Sequence, residues 1–359
     1  MKKILVVVVA LASMNAFATR ARVNALGNSP HLVDTQTVYG NPADMMVMSD
    51  FVTMESGTTA IGAQNSNAEG MITRSMGDTK MALSLGHQSQ NASGTFGLRA
   101  LSGFATVKSQ QNPVELSYGM KASDMSWGAT LVYSNFNDKV AVEKESSAGI
   151  RAGMRMGALD AKLALGLVNT YENATDGKFK GTMGISGGAG YSMDNMYLFG
   201  NFVLAGFKAE SAAAVETKKY DSQSISVGAL SSTKKDGNEF FYGVSLNSDT
   251  SKETVADTKT TALTLPLFMG LEVDAASWLT LRGSITQKTL INSTKTEAAG
   301  TTTVEKSPNT NSTAASVGAG LKWNKLTLDG SLTGLSGATA SQNINGTDLL
   351  GQIGMTYMF

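Results

Sequence analysis

Apolar and polar residues alternate along most of this 359-residue chain, and that period of two limits its fold more than any other feature. In the clearest example, 263–273, every second residue is Leu, Met or Val, and the residues between are Thr, Pro, Phe, Gly and Glu. Such alternation is typical of β-strands whose two faces meet different surroundings. The pattern recurs in segments of about ten residues, the length that a tilted strand needs to cross a bilayer. We therefore predict an all-β chain.

The connections between these strands alternate in length from residue 113 to the C-terminus. Short turns, such as those at 235–237 and at Asn324, alternate with longer polar links, such as 135–146 and 289–313. Transmembrane β-barrels have this asymmetry, with short periplasmic turns and longer outer loops. A soluble sandwich is the alternative, but the face opposite the large apolar residues is rich in Gly, Ser and Thr, which would not fill a sandwich core. The predicted fold is a transmembrane antiparallel up-and-down β-barrel.

Aromatic residues cluster beside the short turns. In membrane proteins such residues form a girdle at the interface between lipid and water. The residues predicted at this level are Trp127, Trp278, Trp323, Tyr191, Tyr197, Phe240 and Tyr357. Their common position supports the barrel and predicts which rim faces the periplasm.

The number of strands follows from counting alternating segments. Thirteen can be counted across 113–359, and a barrel that starts and ends on the same side needs an even number. The alternation at 81–85 supplies a fourteenth strand. Counting 51–56 and 95–103 as well gives sixteen, but their alternation is weaker. We predict about fourteen strands, within a range of 14–16, in a barrel formed by residues 51–359.

The N-terminus is typical of a secretory signal peptide. It has two lysines, an apolar stretch that begins at Ile4, and the small-residue motif Ala16-Phe17-Ala18, so we predict residues 1–18 to be removed by cleavage after Ala18. An uncleaved anchor is the alternative, but the apolar stretch is shorter than the roughly 20 residues that span a bilayer. Residues 19–50 would then form a periplasmic or lumenal segment, which could plug the barrel.

Composition and charge exclude several classes of function. The chain has no cysteine, and its 29 basic and 29 acidic residues balance, so no overall field favours nucleic acid. Its two histidines, His31 and His87, are far apart in sequence and are too few for a catalytic triad or a zinc site. The glycine-rich stretch 181–191 has no lysine-serine pair that would complete a phosphate loop. We therefore predict no enzymatic activity, no cofactor and no metal.

The strand phases place a set of charged residues on the face opposite the apolar one, toward the lumen. These lumen-lining candidates are Glu115, Lys121, Arg151, Arg155, Lys162, Glu272, Arg282, Lys322 and Asp329. Six are basic and three are acidic, an excess that would favour anionic or zwitterionic solutes in a hydrated pore. Alternatively, the charges pair across neighbouring strands and stabilise the wall.

Two segments resemble known outer-membrane proteins. Residues 22–45, RVNALGNSPHLVDTQTVYGNPADM, resemble the N-terminal region of the long-chain fatty acid transporter family, with matching positions at Gly27, Asp34, Asn41, Pro42 and Ala43. That resemblance implies a segment that plugs the barrel and hydrophobic ligands that leave sideways into the membrane. Residues 111–134, QNPVELSYGMKASDMSWGATLVYS, resemble the abundant porin-like proteins of predatory bdellovibrios, which implies a general channel or a structural wall protein.

These features together predict a porin-like protein of a Gram-negative outer membrane. Its function would be the passive diffusion of small hydrophilic solutes, including ions, through a polar lumen. A transporter of hydrophobic substrates and a non-conducting structural or surface barrel are the alternatives. The expected partners are outer-membrane lipid, small solutes and the barrel assembly machinery, and a homotrimer is one oligomeric alternative.

The C-terminal sequence GQIGMTYMF generates the first test. Tyr357 and Phe359 share the apolar face, and a terminal aromatic with a tyrosine two residues before it resembles the signal that the barrel assembly machinery recognises. The last strand must also pair with the first, because an open sheet edge in lipid leaves backbone groups unsatisfied. Deleting Phe359 should therefore lower the amount of heat-modifiable barrel in the outer-membrane fraction. An unchanged amount would contradict this role of the terminal residue.

Overall fold

The computed structural model describes residues 19–57, 67–88, 97–104, 110–290, 294–298, 301–305, 312–337 and 350–359. The predicted signal peptide, residues 1–18, lies outside the described residues. None of the helices within the described ranges is long and apolar enough to cross a membrane.

In the described part of the chain, one short α-helix and three 3-10 helices accompany the strands. The helices are α1 (Arg20–Ala25) and the 3-10 helices Thr37–Tyr39, Pro42–Val47 and Gly97–Ser102. The strands are β1 (Phe51–Gly57), β2 (Asn67–Met76), β3 (Thr79–Leu85), β4 (Val114–Ala122), β5 (Met125–Asp138), β6 (Glu143–Met156), β7 (Leu159–Asn173), β8 (Gly177–Gly181), β9 (Gly184–Met193), β10 (Met196–Glu210), β11 (Glu216–Lys235), β12 (Asn238–Glu253), β13 (Thr258–Ala276), β14 (Leu279–Leu290), β15 (Thr294–Ala298), β16 (Thr301–Glu305), β17 (Ser312–Trp323), β18 (Leu326–Gly337) and β19 (Leu350–Met358).

The strands close into an antiparallel barrel. Apart from the interrupted strands, each pairs with its neighbours along the chain, and β19 pairs with β1 from Phe51↔Met358 to Gly57↔Gln352. Three wall strands are interrupted and are each made of two consecutive segments. The first is β8 with β9, which both lie between β7 and β10. The second is β14 with β15, and the third is β16 with β17. Counted this way, the described residues form sixteen strands, so the predicted closed barrel is confirmed.

The expected number of fourteen was too low, although sixteen lies within the predicted range. The alternation at 81–85 is β3, and the weaker 51–56 is β1. Sequence analysis missed β2, because Met71 and Ile72 are adjacent and point to opposite faces, which leaves no apolar alternation. Residues 95–103, in contrast, contribute the 3-10 helix Gly97–Ser102 and no strand in their described part.

The two faces of the wall are reversed relative to a soluble protein. Large apolar side chains such as Leu131, Met269 and Leu332 are exposed on the outside, whereas polar side chains such as Thr130 and Asp329 are buried inside. Soluble monomers rarely expose a contiguous apolar surface of this extent. A closed ring of strands also leaves no unpaired edge, which is the requirement that lipid sets. The wall is therefore built to span a membrane.

The aromatic residues near the short turns divide between the two faces. Trp323 is 52% exposed on the outer face, as a girdle requires, and Tyr357 lies on the same face; Trp278, also 52% exposed, lies in the turn that precedes β14. Tyr197 was assigned wrongly to the girdle. It is buried on the inner face and donates a hydrogen bond to Asp160 Oδ2 at 2.9 Å. Tyr197 is one residue out of phase with the exposed face of β10, which is why it points inward.

The predicted polar links consist largely of strand. β5 and β6 continue until only residues 139–142 separate them, and on the same side β10 and β12 are followed by links of only 211–215 and 254–257. β11 has 20 residues and β13 has 19, well beyond the roughly ten that cross a bilayer. The Thr-, Ser- and Lys-rich sequences therefore extend hairpins beyond the apolar belt, because both of their faces tolerate water.

Candidate functional site in the barrel interior

Residues 19–50, the N-terminal segment, lie against the inner face of the barrel. Helix α1 contacts β14, β17, β18 and β19, whereas the 3-10 helix Pro42–Val47 contacts β3, β4, β5 and β6. Between them, Leu26 and Leu32 pack on the inward aromatic side chains of Tyr197 and Phe241. The segment thus touches the wall at several points around the barrel.

Three glycines on adjacent strands receive the 3-10 helix. Gly119, Gly128 and Gly153 are direct partners across β4, β5 and β6. A Cβ atom at Gly128 would overlap the backbone of Pro42 and Ala43, and one at Gly153 would overlap Asn41 Oδ1. The same Oδ1 accepts a hydrogen bond from the Ala43 N–H at 3.1 Å. The sequence motif Asn41-Pro42-Ala43 is therefore a docking element, and the bare backbone of this glycine row is its receptor.

A pair of acidic side chains on the wall receives the start of the segment. Glu55 and Glu69 stand directly opposite each other on β1 and β2, a placement in which like charges repel. The Arg20 guanidinium donates to both oxygens of Glu69 at 2.6 and 2.7 Å, and the Arg20 backbone N–H donates to Glu55 at 2.9 Å. Gln36 Nε2 donates to both carboxylates, at 2.6 and 2.9 Å. The segment supplies the charge and donors that this pair needs.

A second buried network joins the segment to β13, β14 and β18. Arg22 binds Asp34 of the segment and Glu272 of the wall, each at 2.8 Å. Arg282 extends the chain of ion pairs, because it binds Glu272 at 2.5 Å and Asp329 at 2.6 Å. Glu272, Asp329 and Arg282, three of the predicted lumen-lining residues, thus meet in one cluster with Arg22 of the segment, which is not among the residues predicted from the sequence.

The buried carboxylates of the segment have perturbed acidity. Burial raises the pKa of Asp34 to about 6, although the opposing charge of Arg22 lowers it. Burial likewise raises the pKa of Asp44, against the effect of Arg155, whose Nε donates to Asp44 at 2.6 Å. Because docking raises both pKa values, protonation of Asp34 and Asp44 favours the docked segment. The docked segment therefore gains stability as the pH falls toward the ordinary carboxyl pKa, and it loses this stability as the pH rises through the two raised pKa values.

Both histidines lie where the segment meets the wall. His31 Nε2 lies 2.8 Å from Glu239 on β12. His87 stacks on Tyr39 of the segment, with ring centroids 3.6 Å apart, and its Nδ1 lies 2.7 Å from Glu115. Within the described residues, no group of three or more His, Cys, Asp or Glu side chains is placed to hold a metal ion.

A second element folds inward above the segment, on the side of the long links. In the 3-10 helix Gly97–Ser102, the Arg99 guanidinium donates to Asn169 at 2.7 Å, to Ser147 at 2.8 Å and to Glu145 at 2.9 Å. Leu98 of the same helix packs in an apolar cluster with Phe207 and other inward side chains of β7–β10. This helix narrows the barrel at a level that the N-terminal segment does not occupy.

The structure places the nine lumen-lining candidates on the inner face by strand phase, and it pairs most of them. Arg151 binds Glu115 at 2.5 Å, and Lys322 binds Asp274 at 2.8 Å. Arg155, Glu272, Arg282 and Asp329 belong to the contacts described above. In the described part of the chain, Lys121 and Lys162 have no ion-pair partner. Lys121 is exposed at the short-turn rim, whereas Lys162 lines an interior cavity.

That cavity has a volume of about 480 Å³ and lies between the N-terminal segment and the wall of β5–β10. Asn28, Tyr39 and Gly40 of the segment line one side, and Lys162 and Asn201 line the other. The same three segment residues also line a neighbouring cavity of about 450 Å³. A further cavity, of about 560 Å³, lies beside His31 at the short-turn end of β9–β11.

The inner face of β9 explains why space remains on this side. The residues in phase with Lys162 and Asn201 are Gly184, Ser186, Gly188, Gly190 and Ser192. With side chains no larger than a hydroxymethyl group, this strand contributes almost no bulk to the lumen. Asn201 and Tyr197 fill the room above Gly188 and Gly190, and Ser186 is the inward residue of β9 that borders the cavity.

Comparisons with known proteins identify no family. No protein-family model and no curated protein matches the chain. Among solved structures, a bacterial polysaccharide outer membrane secretin aligns over 88% of this chain and 99% of its own, with 7% identity and a TM-score of 0.47. A porin aligns over 87% and 99%, with 9% identity and a TM-score of 0.41. OmpT, an outer membrane protein of Vibrio cholerae, aligns over 86% and 97%, with 12% identity and a TM-score of 0.41.

The glycine row yields a test of segment docking. Gly128→Ala places a methyl group against the backbone of Pro42 and Ala43, so we expect it to lower the free energy of unfolding by about 1–3 kcal/mol, as overpacking does. Gly283→Ala is the matched control, because its methyl group would meet only Ser316 O, at 3.6 Å. Urea unfolding of the lipid-reconstituted protein measures both. Equal stabilities of the two variants would show that the row is not a docking surface.

The acidic pair yields a second test. Arg20→Ala removes the guanidinium from Glu69 and should destabilise the protein by about 2–4 kcal/mol, because it leaves two facing carboxylates unneutralised. Adding Glu69→Gln should recover part of the loss, since the remaining Glu55 then has no charged neighbour across the strand pair. Urea unfolding of the two single variants and the double variant completes the cycle. Strictly additive effects would contradict the coupling.

Proposed function

We propose that this protein is an outer-membrane channel that lets small hydrophilic solutes, preferentially anionic ones, diffuse passively past the N-terminal segment. The observation that carries the proposal is the placement of Lys162, an inward cation without an ion-pair partner among the described residues, in a cavity between the segment and the polar wall. The path would run along the glycine- and serine-lined inner face of β9. No cofactor, energy source or enzymatic step is part of this function.

The charges on the wall support a preference for anions. Most inward cations, such as Arg151 and Arg282, form ion pairs with carboxylates, so they contribute little net potential to the lumen. Lys162 lacks such a partner and faces the cavity. A single uncompensated cation in a narrow polar passage attracts anions and repels cations, as charged rings do in other pores. Selectivity would therefore depend on Lys162 more than on the overall excess of basic residues.

The cellular context of the proposal comes from the sequence. The signal peptide, the apolar outer belt and the terminal aromatic together support export to a Gram-negative outer membrane and insertion by the barrel assembly machinery. Outer-membrane lipid would surround the wall. Trimerisation and the resemblance to bdellovibrio porin-like proteins both stay predictions.

The contacts inside the barrel also bear on two other functions, a transporter of hydrophobic substrates and a non-conducting structural barrel. A transporter of hydrophobic substrates should have an apolar pocket beneath Asn41 and Pro42, but these residues rest directly on Gly153 and Gly128. A non-conducting structural barrel is the second candidate, and the observation that favours it is the filling of the interior by two separate elements, the N-terminal segment and the helix Gly97–Ser102.

Planar-bilayer recordings distinguish these possibilities. The wild-type protein should give discrete conductance steps, with a reversal potential in a KCl gradient that favours chloride. Lys162→Glu should move that potential toward potassium selectivity, because it reverses the charge that faces the cavity. Lys121→Glu is the matched control at the exposed rim, where water screens the charge, and should cause a smaller shift.

The outcomes separate the candidates. A wild-type barrel that inserts without conductance steps would reject the channel and favour the structural barrel. Conductance whose selectivity responds equally to Lys162→Glu and Lys121→Glu would reject the assigned path along β9.

A further inference from the structure

Thr19, the residue that follows the predicted cleavage site, is fixed against the inner wall. It is buried, and a Cβ atom on Gly354 of β19 would overlap its side chain, so the two residues are in direct contact. Its hydroxyl donates to Asp329 Oδ2 at 3.4 Å, and its carbonyl oxygen accepts the N–H groups of Arg22 and Val23, which starts α1. The first residue of the predicted mature chain therefore already has a defined binding place.

The backbone nitrogen of Thr19 lies close to two buried carboxylates. Its distance from Asp329 Oδ2 is at most about 7 Å, because covalent geometry keeps it near its own hydroxyl. The next backbone nitrogen, that of Arg20, donates to Glu55 Oε2 at 2.9 Å, so Glu55 is at a similar distance from Thr19. Any charge on this nitrogen would act at short range on both acids.

The ion-pair network around this position is short of positive charge. Within the described residues it contains three guanidinium groups and five carboxylates. Its members are Arg20, Arg22, Arg282, Asp34, Glu55, Glu69, Glu272 and Asp329. Buried charges without compensation are unfavourable, because the interior replaces the water that would solvate them. One more cation beside Glu55 and Asp329 would reduce the deficit.

We propose that the α-ammonium group released at Thr19 by signal-peptide cleavage is a structural cation that binds between Asp329 and Glu55. In the cleavage, water hydrolyses the amide bond between Ala18 and Thr19. The carboxylate stays on Ala18, and the amine of Thr19 takes up a proton. Before cleavage the same nitrogen is an uncharged amide, so the uncleaved precursor lacks this cation and docks its segment less firmly.

This inference depends on the cleavage position and on the burial of Thr19, and it is independent of conductance. Because two carboxylates lie within about 7 Å of the ammonium, its proton is retained to a higher pH than that of an exposed chain terminus, whose ordinary pKa is about 8. A non-conducting barrel could have the same N-terminal site.

Acylation of the α-amine tests the site on the mature protein purified from outer membranes. Mass spectrometry should first show that the chain begins at Thr19. Sulfo-NHS-acetate at pH 8 should then modify the Thr19 amine at least about 5-fold more slowly in the folded barrel than in the heat-unfolded chain, since a one-unit rise in pKa from about 8 alone removes about four-fifths of the reactive free base. Lys235, exposed at a short turn, is the internal control and should react equally in both states.

Substitution of the acids separates charge pairing from simple burial. Asp329→Asn should raise the acylation rate of Thr19 in the folded barrel several-fold and shift its pH profile downward, and Glu55→Gln is the second variant in case the first fails to fold. Asp249→Asn, which alters a carboxylate bonded to Ser224, is the matched control and should leave the rate unchanged.

Three results would overturn the proposal. They are a mature chain that begins at another residue, equal acylation rates of Thr19 in the folded and unfolded protein, and rates in both acid variants that match the wild type.

Discussion

The pairing of β1 with β19 is the interaction on which the rest of the structure depends. It closes the ring of backbone hydrogen bonds, and without it two strands would present unpaired N–H and C=O groups to lipid. Closure also fixes which face of every strand points inward, because the side-chain period of a strand is two. The apolar residues must then face the lipid, and the polar and charged residues must face the lumen.

Because the charged residues of the wall face the lumen, they need partners there, and the N-terminal segment supplies them. A lumen lined by facing acids such as Glu55 and Glu69 is unfavourable when it is dry, and it is tolerable only with water or with cations. Arg20 and Arg22 supply such cations from the segment, and its leucines cover the inward aromatic side chains of Tyr197 and Phe241. The segment is therefore part of the folded barrel, and the proposed solute path lies beside it, on the side where the inner face of β9 contributes only glycine and serine.

The fold was predictable because periodicity and turn length are local properties of the sequence. The strand Thr258–Ala276 and the turn at 235–237 show this: alternation alone identifies the first, and the residues Asp236 and Gly237, both at positive φ, form the second. β2 could not be found in this way, because its lumen face carries Glu69 and Met71 together and its outer face carries Arg74, so neither face is uniform. The alternation of apolar and polar residues fails as a signal wherever a wall residue packs against an inserted element instead of facing lipid or water.

For the candidate site, the sequence predicts only which face of its strand each residue occupies. Strand phase places Arg151, Arg282 and Asp329 on the inner face, but it contains no information on which partner each side chain finds across the lumen. The contacts of Arg22 with Glu272 join residues 250 positions apart, and nothing local marks them. The glycine row is a similar case: each of its members is an unremarkable strand residue until the register brings the three side by side.

Asp50 links the closing seam of the barrel to the segment inside it. Its carbonyl oxygen accepts the N–H of Phe359 at 3.0 Å, and its side chain accepts two hydrogen bonds from Ser75 on β2. The last residue before β1 is thus tied to both strands that flank it. If the pairing of β1 with β19 opens on heating, the end of the N-terminal segment at Asp50 loosens with it. While that pairing is intact, this end of the segment is held in place. Opening of the wall and release of its contents are therefore a single cooperative event.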